Sequence, residues 1–452
     1  MFILVSLRRQ ARNPRGVGVQ ELFTTPPERE RHWFPVRSVL NRVFLTAERI
    51  TRHLEPLIPW GMRWAAIRRA ERWMLARLNG EGGLGAIFPA MVNAYEALDA
   101  LGYAPEHPLR KTAKRAIDLL LKDRGEMTYC QPCVSPVWDT GLAAHALEEA
   151  GGAEEDVERA LSWLMDRQLL DEPADWKEYR PDLVGGGWAF QYRNDYYPDL
   201  DDTSMVAWVM HRRDPEAYAG RIERAAAWLA GMQSKNGGFA AFDADNTYYY
   251  LNEIPFADHG ALLDPPTEDV TARCVALFAL LGARHQKPLE RALDYLTREQ
   301  RADGSWWGRW GCNFIYGTWS VLMALELAGV APSDGRMRRA VAWLKSVQKE
   351  DGSFGETNDT YEDEALAGTG PSTPEQTAWA LLGLMAAGEA DSDAVGRGVD
   401  WLLACQDDNG LWDTEWFNAP GFPRVFYLRY HGYSHYFPLW AIARYRNHLE
   451  AR

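Results

Sequence analysis

The chain has 452 residues, of which 46% are hydrophobic, and its aromatic content includes 20 Trp. This length is enough for about two domains with a sizeable core, so a disordered chain is excluded. The formal net charge of −14 argues against nucleic acid as a partner. The basic residues are concentrated in the first quarter of the chain, which could face anionic lipid headgroups or could simply form solvated helix faces.

The N-terminal stretch, MFILVSLRRQARNPRG, is apolar first and basic afterwards, which is the reverse of a secretory signal. It resembles the inside of a helix more than a natural start. No apolar run in the sequence approaches the roughly 20 residues that a membrane-spanning helix needs. We therefore expect a protein that is cytoplasmic or lies on a membrane without crossing it.

Five cysteines, an odd number, suggest a reducing compartment rather than a disulfide framework. Cys130 and Cys133 form a single C-x-x-C pair. A zinc ribbon needs a second pair of ligands, so the default prediction is two buried structural thiols.

An internal repeat runs through the chain and is its strongest signal. In each good copy an Arg is followed four residues later by an aromatic residue, then usually by Gln, by a Gly turn and often by a final ring, as in RAVAWLKSVQKEDGSF. We expect the Gln to hydrogen-bond backbone groups at neighbouring helix ends. Good copies begin at Arg69, Arg224, Arg291, Arg339 and Arg397, and weaker ones begin at Arg115 and Arg159.

Each copy is followed by a second, more apolar helical pattern. Alternating amphipathic and apolar helices are typical of an α/α barrel, in which the apolar helices meet at the axis. We predict an all-α fold with a complete (α/α)6 barrel in residues 131–452 and a partial second α/α barrel in residues 1–130. The six inner helices are expected to begin near Pro136, Asp201, Asp269, Tyr316, Ser372 and His435.

The stretch YYPDLDDTSMVAW places Asp199, Asp201 and Asp202 at the start of one predicted inner helix. One interpretation is structural: Asp202 and Thr203 are in position to cap the helix, and the remaining charge complements its dipole. The other is catalytic, because crowded carboxyls in a dry surrounding keep one of them protonated at neutral pH. With many rings and no evident nucleophile, such an acid suggests carbocation chemistry stabilised by cation–π attraction.

Other constellations are weaker. His431 and His435 have a spacing suited to a metal, but no third ligand is apparent, so we expect a wet helix face or a cavity wall. The glycine clusters lie between helices rather than after strands, which argues against a nucleotide-binding loop. We therefore predict neither a metal nor a cofactor. A glycan-processing (α/α)6 enzyme stays open as an alternative. It is less favoured because such an enzyme needs carboxylates on opposite walls of a polar groove, whereas we expect this cavity to be aromatic and dry.

The repeats resemble the QW motifs of triterpene cyclases, and DLDD resembles the acid motif of the squalene–hopene cyclases. The segments GRWGCNFIYGT, GFPRVFYLRYHGYSHYFP and FDADNTYYYLNEIPFADHGALLDPPTEDVTARC are similar to segments of the same family. The resemblance implies that Asp201 is the proton donor, that Asp199 and Asp202 tune it, and that Asp269 belongs to the polar network behind it. Arg273 stands where some relatives have His and implies a fixed countercharge. The implied cavity rings are Trp138, Phe190, Phe242, Trp310, Phe422, Phe426, Tyr430 and Tyr433.

The family resemblance further implies cyclisation of squalene to hopene or hopanol, or of another linear polyprene, on the cytoplasmic side of the bacterial inner membrane. It implies monotopic binding to one leaflet through residues 54–73, LEPLIPWGMRWAAIRRAERW, for which a buried helix of the smaller domain is the alternative. Family members are longer, so we expect a truncated or split cyclase. Such a chain is either an inactive or lipid-binding remnant, or is completed by a homodimer or by a partner that supplies the N-terminal part.

Overall fold

The computed structural model describes residues 1–7, 16–31, 33–34, 36–171, 173–257 and 262–452. Part of the N-terminal basic stretch and residues 258–261 of the family-like segment therefore lie outside the described residues. The chain forms two compact units, one of Met1–Val134 with Tyr248–Leu263 and one of Ser135–Thr247 with Asp264–Arg452. Nothing in the sequence indicated that Tyr248–Leu263 belongs with the first unit.

The first unit is mainly helical. Its helices are α1 (Phe2–Ser6), α2 (Val39–Leu54), α3 (Trp60–Ala76), α4 (Phe88–Leu101) and α5 (Pro108–Leu120). They are followed by a short antiparallel hairpin of β1 (Leu121–Asp123) and β2 (Thr128–Cys130). Helix α2 begins with a capping box, in which the Ser38 hydroxyl accepts a hydrogen bond from the Asn41 backbone N–H at 3.1 Å.

The prediction of two buried thiols in the C-x-x-C pair is wrong. Cys130 is exposed and Cys133 is half-buried. Cys130 ends β2, which pairs only with β1 in a two-stranded sheet, so there is little chain to cover its side chain.

The second unit contains eleven α-helices and one antiparallel hairpin among its described residues. In chain order the helices are α6 (Pro136–Ala150), α7 (Glu154–Met165), α8 (Leu200–Arg213), α9 (Ala219–Met232), α10 (Glu268–Leu281), α11 (Gln286–Glu299), α12 (Phe314–Leu327), α13 (Gly335–Val347), α14 (Pro374–Ala386), α15 (Asp393–Ala404) and α16 (Tyr433–Glu450). The hairpin of β3 (Ala419–Phe422) and β4 (Phe426–Leu428) precedes α16.

The even-numbered helices α6 to α16 form a closed ring. Each packs against the next in chain order, and α16 packs back against α6. The odd-numbered helices α7 to α15 lie outside, each against the inner helix that precedes it. The predicted inner-helix starts are within two residues of the observed ones. The predicted all-α fold with an α/α barrel is therefore confirmed.

Burial explains which helices are inside. Every residue of α14 is buried, as is the stretch from Phe314 to Leu325 of α12. In contrast, α11 buries only Leu289, Ala292, Tyr295 and Leu296 on one face. Helices that are apolar all round belong in the centre, and helices with one apolar stripe form the outer layer.

The repeat glutamines join successive outer helices, as the sequence predicted. Gln300 Nε2 donates to the carbonyl of its own turn glycine, Gly304, and to that of Arg336 in the first turns of α13, both at 2.9 Å. Gln233 and Gln348 each make an equivalent pair of bonds, and Gln168 donates to the carbonyls of Gly186 and Arg221. One amide thus satisfies a turn carbonyl and fixes the spacing of two outer helices.

A set of threonines that sequence reasoning missed joins each repeat to the following inner helix. Thr318 Oγ1 accepts a hydrogen bond from the Trp306 backbone N–H at 3.0 Å. The same bond recurs from Trp188 to Thr203, from Phe239 to Thr271 and from Phe354 to Thr377. The signal was present, since each threonine stands at a matching position near the start of its inner helix.

Candidate active site

The aspartate cluster lies at the start of α8, where Asp199 rather than Asp202 caps the helix. The Asp199 carboxylate accepts a hydrogen bond from the Asp202 backbone N–H at 2.8 Å. The expected cap at Asp202 and Thr203 is therefore wrong, because the helix begins at Leu200 and those residues lie in its first turn. The capping role of the structural interpretation therefore falls to Asp199.

Asp201 is buried, and its closest charged neighbour is Arg273 of α10. Arg273 Nε lies 3.1 Å from Asp201 Oδ1, although the angle does not satisfy a hydrogen bond. Burial raises the pKa of Asp201 to about 7, while Arg273 opposes the rise and Asp269 adds to it. Burial is thus the main cause, whereas the sequence argument had relied on crowding by the adjacent aspartates.

Asp199 and Asp202 form a second buried acidic pair. Burial raises the pKa of Asp199 to about 8. Burial and repulsion by Asp199 raise the pKa of Asp202 well above its ordinary value. Each has one carboxyl oxygen that is buried without a hydrogen-bond partner among the described residues. Burying an ionised carboxylate without a hydrogen-bond partner costs free energy, and protonation removes that cost. The Asp199–Asp202 pair therefore holds a proton at neutral pH.

Asp269 is anchored as an acceptor at the start of α10. Its Oδ2 accepts hydrogen bonds from the backbone N–H groups of Arg309 and Trp310 at 2.9 and 2.8 Å. Its Oδ1 accepts from the Thr267 hydroxyl at 2.6 Å and from the Val270 N–H at 3.0 Å. These four donors fix the carboxylate and attach the Trp310 loop to α10.

Arg273 is held in place by contacts on several sides. Its Nη1 donates to the Asp269 carbonyl at 2.9 Å, and its Nη2 donates to the Tyr316 hydroxyl. The guanidinium carbon lies 5.1, 5.0 and 5.8 Å from the ring centroids of Trp138, Tyr316 and Trp319. Burial lowers the pKa of Arg273, but the Asp201 carboxylate and other neighbours raise it more, so the net shift is upward. The side chain is a permanent cation beside Asp201.

Tyr316 is a site residue that sequence reasoning did not select. It lies in the quoted segment GRWGCNFIYGT, was noted only as a helix start, and is fully buried. Because its hydroxyl accepts from Arg273 and its ring lies under the same guanidinium, it fixes the position of the cation.

Several of the predicted cavity rings are brought into contact. Trp138 Nε1 donates to the Tyr433 hydroxyl at 2.7 Å. The rings of Tyr430 and Tyr433 stack with centroids 4.6 Å apart, and Phe190 meets Tyr430 edge-on at 6.3 Å. The Trp138 ring in turn contacts the Arg273 guanidinium, which lies beside Asp201.

The remaining predicted rings form two pairs. Phe242 meets Trp310 edge-on at 6.3 Å, and Trp310 belongs to the loop held by Asp269. Phe422 and Phe426 face each other across the β3–β4 hairpin, with centroids 5.6 Å apart. A tryptophan or tyrosine face next to a buried acid can stabilise positive charge that develops after proton transfer.

In the described part of the chain, no group of three or more His, Cys, Asp or Glu side chains could hold a metal ion. His431 and His435 are both exposed. None of the described helices is both long and apolar enough to cross a membrane.

Comparison with known proteins assigns the chain to one family. Residues 134–447 match the squalene-hopene cyclase C-terminal domain, and residues 1–126 match the squalene-hopene cyclase N-terminal domain. The chain belongs to the squalene-hopene cyclase family. It is therefore an enzyme of the cyclase type, an isomerase, as its sequence indicated.

Curated members of the family are similar along nearly the whole chain. A squalene–hopene cyclase of Zymomonas mobilis is 51% identical over 99% of this chain and 70% of its own length. One of Alicyclobacillus acidocaldarius is 41% identical over 97% of this chain and 70% of its own length.

A solved structure shows the same fold. The ent-copalyl diphosphate synthase of Streptomyces platensis aligns with a TM-score of 0.51 at 20% identity, over 78% of this chain and 58% of that one.

Proposed function

We propose that this chain cyclises squalene to a pentacyclic triterpene, hopene or its hydrated alcohol, with Asp201 as the general acid. The observation that carries the proposal is the state of Asp201, which is buried, has a pKa raised to about 7 and lies 3.1 Å from Arg273. A carboxyl with this pKa is protonated in a useful fraction of molecules at neutral pH, as a general acid must be.

In the proposed first step the proton of Asp201 moves to the CH carbon of a terminal double bond of squalene, whose π electrons form the new bond. The O–H bond breaks, a C–H bond forms, and a tertiary cation remains on the substrate. Each ring closure then uses the electrons of the next alkene and passes the positive charge along the chain. The last cation loses a proton, which gives the hydrocarbon, or it adds water and then loses a proton, which gives the alcohol.

The chain's own residues support this sequence of steps. Arg273 provides a fixed positive charge that favours the Asp201 carboxylate left after proton transfer. Asp269 holds Arg273 through its backbone carbonyl and holds the Trp310 loop through its side chain. Asp199 and Asp202 retain a proton of their own, so the cluster does not accumulate negative charge around Asp201. Trp138, Tyr430 and Tyr433 offer ring faces to the developing cations.

We also propose that the enzyme binds one membrane leaflet, on the cytoplasmic side of the bacterial inner membrane, through the first unit. Leu57, Trp60 and Met62 are exposed at 73, 55 and 66%. Exposed apolar side chains next to arginines are typical of a helix that lies in a membrane interface. If the proposal is correct, the protein floats with anionic lipid vesicles in a density gradient. The variant Trp60→Glu/Met62→Glu remains in the soluble fraction, and equal flotation of both proteins would contradict the assignment.

The catalytic proposal is tested with purified protein and squalene in detergent. We expect cyclic triterpenes from the wild-type chain and none from Asp201→Asn, with Asp195→Asn as a matched control outside the site. Equal product from wild type and Asp201→Asn would overturn the role of Asp201.

A further inference from the structure

We infer that Asn418 and Glu375 are positioning residues that fix the Tyr430 ring at the base of the β3–β4 hairpin, and thereby influence where the cyclisation ends. The inference rests on the proposed function, because it concerns the rings that would contact the substrate cations. Neither residue belongs to the acid network around Asp201.

Asn418 closes the base of the hairpin with both its backbone and its side chain. Its N–H donates to the Leu428 carbonyl at 3.0 Å, and its carbonyl accepts from the Cys312 N–H at 2.9 Å. Its side-chain Oδ1 accepts from the Tyr430 N–H at 2.9 Å, while Nδ2 donates to the Tyr430 carbonyl at 3.3 Å. The residue just before β3 is therefore tied to the residue that lies two positions after β4.

Glu375 connects this bridge to the barrel wall. It lies in the first turn of α14 and is fully buried, and its Oε1 accepts a hydrogen bond from Asn418 Nδ2 at 3.1 Å. Its Oε2 is buried without a hydrogen-bond partner among the described residues. Burying a carboxyl group costs free energy unless it is hydrogen-bonded, and the bond from Asn418 offsets part of that cost.

The bridge between Asn418 and Tyr430 lies next to several of the predicted cavity rings. Tyr430 stacks on Tyr433 at 4.6 Å and contacts Phe190, and Tyr433 accepts the hydrogen bond of Trp138. Phe422 and Phe426 lie on the two strands that the bridge closes. A shift of Tyr430 by a fraction of an ångström therefore changes the distance between a ring face and a cation, and cation–π attraction depends on that distance.

The hydrogen bond from Asn418 to Glu375 predicts different effects for two substitutions of Glu375. Glu375→Gln keeps an oxygen that can accept from Asn418. Glu375→Leu removes that acceptor, so Asn418 Nδ2 retains only its bond to the Tyr430 carbonyl, while Oδ1 still accepts from the Tyr430 N–H. Asn418→Leu removes all side-chain bonds of the bridge. A buried asparagine of the first unit, Asn79, whose Nδ2 donates to the Gly83 carbonyl at 3.2 Å, provides the matched control Asn79→Leu.

The experiment measures two quantities for each variant. One is the fraction of incompletely cyclised products formed from squalene, determined by gas chromatography and mass spectrometry. The other is the affinity for a polyprene that carries a tertiary ammonium group, which mimics a cyclisation cation and requires no turnover.

We expect Asn418→Leu and Glu375→Leu to raise the share of incompletely cyclised products and to weaken ammonium binding about fivefold to tenfold, as the loss of a positioning hydrogen bond predicts. Glu375→Gln should match wild type in both quantities, and Asn79→Leu should lower only the melting temperature. If Asn418→Leu does not fold, Glu375→Leu still decides, because it retains both bonds between Asn418 and Tyr430.

Unchanged products and unchanged ammonium affinity in Glu375→Leu would overturn the inference, since a purely structural role lowers stability alone. Wild-type protein that binds the ammonium compound in a Glu375-dependent way, yet never turns over squalene, would contradict the proposed function while supporting the positioning role.

Discussion

Arg273 Nε lies 3.1 Å from Asp201 Oδ1, and both side chains are buried where an inner barrel helix begins. The guanidinium donates to the Asp269 carbonyl and the Tyr316 hydroxyl and also contacts the rings of Trp138, Tyr316 and Trp319, so these contacts hold it beside Asp201 when that carboxyl is protonated. The acid is therefore balanced between burial, which favours the neutral carboxyl, and a permanent cation, which favours the carboxylate left after proton transfer.

Replacing the cation should shift the pH dependence of activity. Asp201 must be protonated to react, so the wild-type rate should fall as pH rises through about 7, the pKa of Asp201. In Arg273→Gln the opposing positive charge is lost, the pKa of Asp201 rises, and the alkaline limb should move up by about one pH unit or more, with a lower maximal rate.

The pH profile of squalene turnover measures this shift. Arg273→Lys, which keeps a positive charge, is the control and should leave the alkaline limb close to its wild-type position. An unchanged limb in Arg273→Gln would mean that the cation does not influence the reacting acid.

Stability should also depend on pH through the buried acids. Burial raises the pKa of Asp199 and of Glu268 to about 8, far above their values in an unfolded chain. The folded state therefore binds protons that the unfolded state releases from about pH 4 upward. The free energy of unfolding should decrease as pH rises from about 4 to 8, and Asp199→Asn should make that decrease shallower.

Urea denaturation at a series of pH values provides the measurement. A decrease equally steep in Asp199→Asn would show that Asp199 does not carry the linked proton.

Tyr316→Phe should slow the reaction without weakening substrate binding. The substitution removes the acceptor of an Arg273 Nη2 hydrogen bond but keeps the ring under the guanidinium. Hydrogen bonds to charged groups contribute about 1.5–3 kcal/mol, so we expect kcat to fall about tenfold or more, with KM unchanged.

Tyr103→Phe serves as the control, since it removes a tyrosine hydroxyl that donates to Glu71 in the first unit. A rise in KM with constant kcat for Tyr316→Phe would instead assign Tyr316 to substrate binding.

A repeat glutamine that makes more hydrogen bonds should contribute more to the free energy of unfolding. Gln300 donates to two carbonyls and joins α11 to α13, whereas the exposed Gln406 donates to the Gly410 carbonyl at 2.9 Å. Gln300→Ala should lower the free energy of unfolding by about 1–3 kcal/mol, and Gln406→Ala by less than about 1 kcal/mol. Chemical denaturation of both variants checks the order, which equal losses would contradict.

The sequence predicted the barrel well because its signals are local and repeated. Inner-helix starts near Pro136, Asp269 and Tyr316 follow from apolar runs that begin after Gly or Pro turns, and the structure begins those helices within two residues of these positions. The role of the repeat glutamines was also predictable, since Gln233, Gln300 and Gln348 stand at the same distance from their turn glycines.

Features that depend on contacts distant in sequence were not predictable in the same way. The two N–H groups on Asp269 come from Arg309 and Trp310, some 40 residues later, and the partner of Glu375 is Asn418. The cap of α8 was assigned to Asp202 and Thr203, whereas the helix begins at Leu200 and is capped by Asp199. The site roles, including Asp201 as acid, remain predictions from the family resemblance, which the observed geometry supports.

The most direct test of the account is the source of the proton that starts cyclisation. Squalene incubated with the wild-type chain in D2O should give a cyclic triterpene with one new non-exchangeable deuterium, delivered through Asp201, and Asp201→Asn should give no such product. Labelled product from Asp201→Asn at the wild-type rate, measured by mass spectrometry, would contradict the account.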